Sequence, residues 1–213
     1  MAGDVLTDEL FRAVEQLADP QVLPLELDVT SEGGWRHIVG EAERRFGGLN
    51  ILVNNAGILS RAPLIEEEPS EFERLWRVNC LGVFLGMRAA APLLRKADRP
   101  AIVNTLSNAA VRAFPRHTSY TSSKWAERGL TLSAAIEFAG LGIRVNAVLP
   151  GPVATPMHDA HTIERLQSAA LLGRIGTAED IAEVVAFLAS PAAGFMTGAE
   201  VLVDGGQSLR ISQ

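Results

Sequence analysis

Tyr120 is the only tyrosine of this 213-residue chain, and it opens the run Tyr-Thr-Ser-Ser-Lys that ends at Lys124. A spacing of four stacks two side chains on one face of a helix, a turn apart. An ammonium beside a phenol favours the phenolate, lowering a pKa that otherwise sits near ~10, so Tyr120 can act as a general acid or base near neutral pH. Ser107 ends the run Ala-Ile-Val-Asn-Thr-Leu-Ser, and a strand rim there holds its hydroxyl beside the phenol, ready to hydrogen-bond a reacting oxygen. Asn79 can hold a water through its amide, linking Lys124 to solvent in a proton relay. Taken alone, a Tyr and a Lys one turn apart are more often an ordinary surface pair. The other groups in register favour catalysis.

Short apolar runs that alternate with segments of helical period must position these groups. Strands are expected at 22–29, 50–56, 101–106, 143–149 and 200–203, and helices at 7–18, 31–46, 69–95, 118–140, 159–172 and 177–189. This alternation predicts βαβ units and a doubly wound α/β domain with a parallel sheet. The near-continuous apolarity of the strands fits burial on both faces. With no internal repeat or linker, residues 1–213 read as a single domain. Ligands in such folds bind outside the carboxyl ends of the strands. Those ends carry Asp28-Val29, Asn54-Asn55-Ala56-Gly57, Ser107 and Pro150-Gly151-Pro152. Asn-Gly and Pro-Gly segments also make plain turns, but their shared rim favours a site.

A formal charge of −6 argues against a nucleic-acid surface or an anionic-membrane binder, both of which need clustered Lys and Arg. The sole cysteine, Cys80, can form no intramolecular disulfide, so a cytoplasmic protein is the default. No apolar stretch approaches the ~20 residues of a membrane-spanning helix. No carboxylate or cysteine accompanies His117, His158 and His161 at ligand spacing, so no metal site is expected. His158 and His161 suit substrate contact instead, and Glu66-Glu67-Glu68 reads as a solvated face.

Asp28-Val29, Asn54 to Gly57, Val78-Asn79, Ser107, Tyr120 to Lys124, Pro150 to Pro156 and Gly198 to Gly206 together resemble the short-chain dehydrogenase/reductase family over essentially the whole chain. The resemblance implies a Rossmann-like fold, NAD or NADP as cofactor, and a hydride moving between nicotinamide C4 and a carbonyl or alcohol carbon. It implies Tyr120 as acid/base, Lys124 lowering its pKa and contacting the nicotinamide ribose, Ser107 steadying substrate, and Asn79 extending the relay. Asp28 and Val29 would contact adenine, and Asn55, Ala56 and Gly57 would back the cofactor. Pro150 and Gly151 would lead to backbone groups at Val153 and Thr155 that hold the carboxamide. Helices 69–95 and 118–140, bearing Trp76 and Trp125, would form a homodimer or homotetramer contact. The partner otherwise expected is a small-molecule substrate, and Leu59, Val111, Phe114 and Met157 hint at an apolar one.

The family's Gly-rich turn between a first strand and helix, where a helix N-terminus faces pyrophosphate, is not found in these residues. Residues 1–6 (Met-Ala-Gly-Asp-Val-Leu) resemble the end of the family's second strand. The domain is therefore expected to be N-terminally shortened, without the first strand, the first helix and most of the second strand. In the usual strand order this opens a gap of two spacings, roughly 10 Å, between strands 22–29 and 50–56. A segment omitted before Met1, closure of the strands into a smaller sheet, or an oligomer covering the edge would each account for it. Weak pyrophosphate binding follows if the chain is complete. Asp4 is placed to pair with a ribose 2′-hydroxyl, which tips the choice toward NAD. The competing expectation is a non-catalytic or truncated member of the fold that acts as a binding or assembly module.

Overall fold

A computed structural model describes residues 1–155, 166 and 170–209. Its strands are β1 (Ala2–Asp4), β2 (Pro24–Glu26), β3 (Ile51–Asn54), β4 (Ala101–Thr105), β5 (Arg144–Pro150) and β6 (Glu200–Val203). Between them run α1 (Thr7–Leu17), α2 (Glu32–Phe46), α3 (Pro69–Trp76), α4 (Gly82–Leu94), α5 (Thr118–Ala139) and α6 (Ala178–Ala189). Side chains fix two of the helix starts. Ser31 accepts from the Gly34 amide ahead of α2, and Thr177 and Asp180 form a reciprocal capping box ahead of α6, satisfying amides that a helix N-terminus leaves unpaired.

All pairings are parallel, as the alternation of strands and helices requires, and β4 and β5 form the centre. Ile102, Val103, Val145 and Val148 have no exposed surface, and successive residues point to opposite faces. Ile102 and Val145 pack with Leu94, Ala134 and Ala135 of α4 and α5, while Val103 and Val148 pack against Leu188 of α6. Burying each such aliphatic side chain stabilises the fold by about 1.5–3 kcal/mol. This two-sided cover makes the centre of the sheet rigid at the rim where β4 and β5 end.

Helices 7–18, 31–46, 118–140 and 177–189 form to within a residue or two of expectation. The expected helix 69–95 does not run unbroken: α3 and α4 are joined by a π-turn at Arg77–Leu81, which contains Asn79 and Cys80. The helix expected at 159–172 lies mostly outside the described residues, and Ala170–Gly173, at its end, forms a turn. Strand 22–29 shrinks to Pro24–Glu26 because its partner among the described residues is the three-residue β1. Strand 50–56 stops at Asn54, where its pairing with β4 ends. No helix among the described residues is long and apolar enough to cross a membrane.

The sheet is split. β1 and β2 form a two-stranded sheet, and β3-β4-β5-β6 form a separate four-stranded one. The expected gap of two spacings is corrected in one respect: residues 2–4 pair with β2 and occupy one of them. The strands have not closed up across the other. A cavity of about 420 Å³ lies there, between Gly3 and Asp4 of β1, Ile51 to Asn54 of β3, and Trp35, Ile38 and Val39 of α2. Ile51 and Val53 are 43% and 40% exposed, whereas their partners Ala101 and Val103 in β4 are 0% exposed.

Local opening is easiest where few buried contacts must break. Hydrogen exchange read by mass spectrometry should therefore show β1, β2 and the segment between them exchanging first and β4 and β5 last. Equal protection in both sheets would contradict the split.

Candidate functional site

The end of β4 positions the first group. The Leu106 amide still donates to the Val148 carbonyl of β5 at 2.9 Å, and the chain then turns. Ser107, 9% exposed, caps a 3-10 turn at Asn108–Ala110: its Oγ accepts from the Ala109 amide at 3.1 Å and donates to Asn108 Oδ1 at 3.4 Å. A bond of that length is weak, so the hydroxyl proton can pass to a better acceptor. Asn108 is held in turn by Gln207, its Nδ2 donating to Oε1 at 2.6 Å.

Helix α5 packs against this turn and carries the next two groups. Tyr120 lies in its first turn, half-buried, with the His117 ring edge-on at 6.5 Å. Lys124 follows one turn later with Nζ 6.0 Å from the centroid of the tyrosine ring, so the expected stacking on one face is present. The lysine is 3% exposed, and Nζ donates to the Thr105 carbonyl at 2.9 Å and to Glu127 Oε2 at 2.7 Å. Burial pulls the Lys124 pKa down, but the Glu127 charge, Tyr120 and Cys80 together outweigh it, and the net direction is up. Glu127, 1% exposed, is pushed up to about 7 by burial, with the lysine pulling the other way.

Asn79, with no exposed surface, has both amide hydrogens committed within the protein. Nδ2 donates to the Ile58 carbonyl and to Ser123 Oγ, each at 3.0 Å, and Oδ1 accepts from the Ile58 amide at 2.9 Å. It ties the segment after β3 to α5, so a relay water at Asn79 is left with only the remaining lone pair of Oδ1. Gly57 faces the same spot: a Cβ there would stand 3.5 Å from Asn79 Oδ1 and 3.8 Å from Lys124 Nζ. Its missing side chain keeps the ammonium approachable.

The residues expected to bind a cofactor fall into two groups. Val29, Asn55 and Ala56 line the cavity between the two sheets, as does Asp4. Asp28 is exposed and its Oδ1 accepts from the amide and hydroxyl of Thr30 at 2.8 Å each, closing a turn after β2. Near the other group, Gly57, Tyr120 and Lys124, the rim is formed by the end of β5. Pro150 ends that strand, and a Cβ on Gly151 would stand 2.5 Å from Asp204 Cβ, so only glycine fits there. Val153 bridges to Gly176, and Thr155 is the last residue described before position 166. The nicotinamide end of a dinucleotide suits this second group, since the lysine has used two of its three N–H groups and Gly57 leaves it open. No residue in the first group supplies the backbone amides of a helix N-terminus that pyrophosphate needs.

Glu127 escaped sequence reading, although a glutamate one turn beyond Lys124 was a readable signal. So did a buried polar chain across the sheet: Asn54 Nδ2 donates to Asn104 Oδ1 at 2.8 Å, Asn104 Nδ2 to Thr131 Oγ1 at 2.9 Å, and Thr131 Oγ1 to the Glu127 carbonyl at 2.8 Å. Two asparagines inside otherwise apolar strands, Asn54 and Asn104, were its trace. Among the described residues no group of three or more His, Cys, Asp or Glu is placed to hold a metal ion. His158 and His161 lie outside the described residues.

Comparison with known proteins matches residues 3–208 to the family described as enoyl-(acyl carrier protein) reductase. The chain is 40% identical over 204 residues to a 3-alpha-(or 20-beta)-hydroxysteroid dehydrogenase of Mycobacterium tuberculosis, covering 96% of this chain and 77% of that protein. It is 39% identical over 184 residues to a trans-4-hydroxycyclohexanecarboxylate dehydrogenase of Sinomonas cyclohexanicum, covering 86% and 70%. A crystal structure assigned to the short-chain dehydrogenase/reductases, from Burkholderia xenovorans, superposes with a TM-score of 0.93 at 29% identity, covering 99% of this chain and 85% of that one.

Cys80 reports on the surroundings of Lys124 and Glu127. Burial pushes its thiol up to about 11, Glu127 adds to the rise, and Lys124 opposes it. Since only the thiolate reacts, alkylation by iodoacetamide at pH 8 should be at least roughly tenfold slower in the native protein than in the unfolded chain. Equal rates would show that the pocket is wet.

Proposed function

The chain belongs to the short-chain dehydrogenase/reductase family of NAD(P)-dependent oxidoreductases, and on that premise we propose that it interconverts a secondary alcohol and a ketone by hydride transfer. The observation that carries this reading is the ammonium of Lys124, buried and held 6.0 Å from the ring of the only tyrosine. When bound, the nicotinamide supplies the carbon that gives or accepts the hydride. The chain's own groups manage the proton. Tyr120 gives its hydroxyl proton to the substrate oxygen as a ketone is reduced and takes it back as an alcohol is oxidised. The Lys124 ammonium favours the phenolate that remains, and its third N–H would be free to hold the nicotinamide ribose. Ser107 turns its proton from Asn108 to the substrate oxygen and holds it in place. Asn79 fixes the segment around Gly57 and extends the relay through Oδ1.

Asn55, Ala56 and Gly57 would back the dinucleotide, Asp28 and Val29 would contact its adenine, and Pro150 and Gly151 would lead to Val153 and Thr155, whose backbone groups would hold the carboxamide. Asp4, at the end of β1, favours NAD. Apolar groups at Leu59, Val111 and Phe114 suit a substrate with an apolar body, in keeping with the steroid and cyclohexane names of the two relatives. Trp76, Phe84, Trp125 and Ile136, 41%, 41%, 48% and 80% exposed on α3, α4 and α5, form the face through which a dimer or tetramer assembles. The gap between the sheets favours a second reading, a non-catalytic member of the fold that acts as a binding or assembly module and need not hold a nucleotide.

Replacing Tyr120 with Phe should lower kcat for ketone reduction by roughly 10²–10⁴-fold and leave the circular dichroism and melting temperature unchanged. Undiminished activity in that variant would sink the mechanism. A wild-type chain that is inactive with ketones, and gives no heat on titration with NADH or NADPH, would favour the second reading.

A further inference from the structure

Glu127 takes no part in the proton transfer described above, yet it is the carboxylate bonded to the buried lysine. A helical ion pair three residues apart is ordinary at a surface, where both charges keep their water. This one is enclosed: the Lys124 and Glu127 side chains are 4% and 1% exposed. Burying such a pair seldom stabilises a fold more than apolar side chains of the same volume would. Glu127 Oε1 is buried with no hydrogen-bond partner, so the carboxylate is not there to complete a polar network. Its one strong contact is the ammonium.

Lysine at this depth without a counter-charge loses its proton, with shifts of up to ~3–5 units downward for fully buried groups. The other acceptor on Nζ is the neutral carbonyl of Thr105. The charged and titratable groups that act on Lys124 are Glu127, Tyr120 and Cys80, and Glu127 in turn feels Lys124. We infer that Glu127 is a positioning residue whose carboxylate keeps Lys124 an ammonium inside the dry site, so that the lysine can serve Tyr120.

The geometry lets it do so without cancelling the lysine's effect. On α5 the order is Tyr120, Lys124, Glu127, with about 10 Å of helix rise between the Tyr120 and Glu127 backbones, and the ammonium is 6.0 Å from the tyrosine ring and 2.7 Å from the carboxylate. Tyr120 therefore has the ammonium as its near charge and the carboxylate as its far one. This inference rests on the dehydrogenase reading for its purpose, but not for its test.

The chain has only two lysines, Lys96 and Lys124, so carbon-labelled lysine gives two signals in NMR, and Lys96→Arg assigns them. In the wild-type protein the Lys124 signal should keep its ammonium position to about pH 10. In Glu127→Gln its midpoint should fall by at least ~1 unit, and Glu127→Asp should restore part of the fall. The alkaline limb of the kcat profile should move with the midpoint across these variants, which a merely structural pair would not cause. An unchanged midpoint in Glu127→Gln would overturn the inference. So would discharge of wild-type Lys124 below the ordinary ~10.4, which decides the matter even if the Gln variant does not fold. Because the titration needs no turnover, an inactive protein with a high Lys124 midpoint would count against the dehydrogenase reading alone.

Discussion

A positive charge held almost without water organises this molecule. Lys124 is 3% exposed, and keeping an ammonium there requires an anion, a carbonyl at bonding distance and walls that do not move. α5 provides the anion at Glu127, the end of β4 provides the carbonyl at Thr105, and the π-turn beside α5 carries Asn79, which bonds Ser123. Each depends on β4 and β5 being covered on both faces. The central packing thus does more than stabilise the domain, because it fixes three chain segments around one nitrogen.

The same sheet is open on its other side. β3 presents an unpaired edge to a cavity whose far wall is β1, and unpaired strand edges invite another strand. The groups proposed to handle the proton lie toward the closed part of the sheet, around Thr105 and α5, whereas the adenine and pyrophosphate ends of a dinucleotide would lie toward the open part. Chemistry and cofactor retention are accordingly supported to different degrees by these residues, and the division runs along the gap between the two sheets.

Much of this was legible in the residues. Tyr120 and Lys124 stand one turn apart because helical periodicity fixes that separation, and Ser107 stands just past the end of β4 because the apolar run ends there. The helix 69–95 was legible as to extent but not as to shape: a π-turn widens one turn of backbone, and nothing in Arg-Val-Asn-Cys-Leu announces it. Asn79 was recognised, but its partners were not, since Ile58 and Ser123 lie 21 and 44 residues away in sequence. The strand at 22–29 was read too long because β-propensity says nothing about how long its partner is. The spacing of Glu127 from Lys124 is readable, but a glutamate on a helix is ordinarily a solvated residue, and its burial shows only in the tertiary packing.

The central claim is that the proton and the hydride part company at this site, the proton passing through Tyr120 and the hydride moving directly between carbons. A secondary alcohol deuterated at its carbinol carbon, incubated with the protein and oxidised NAD or NADP, tests it by mass spectrometry of the recovered nucleotide. The account predicts one deuterium on the nicotinamide for each ketone formed. Ketone formed with its deuterium released to water, or with none on the nucleotide, would contradict it.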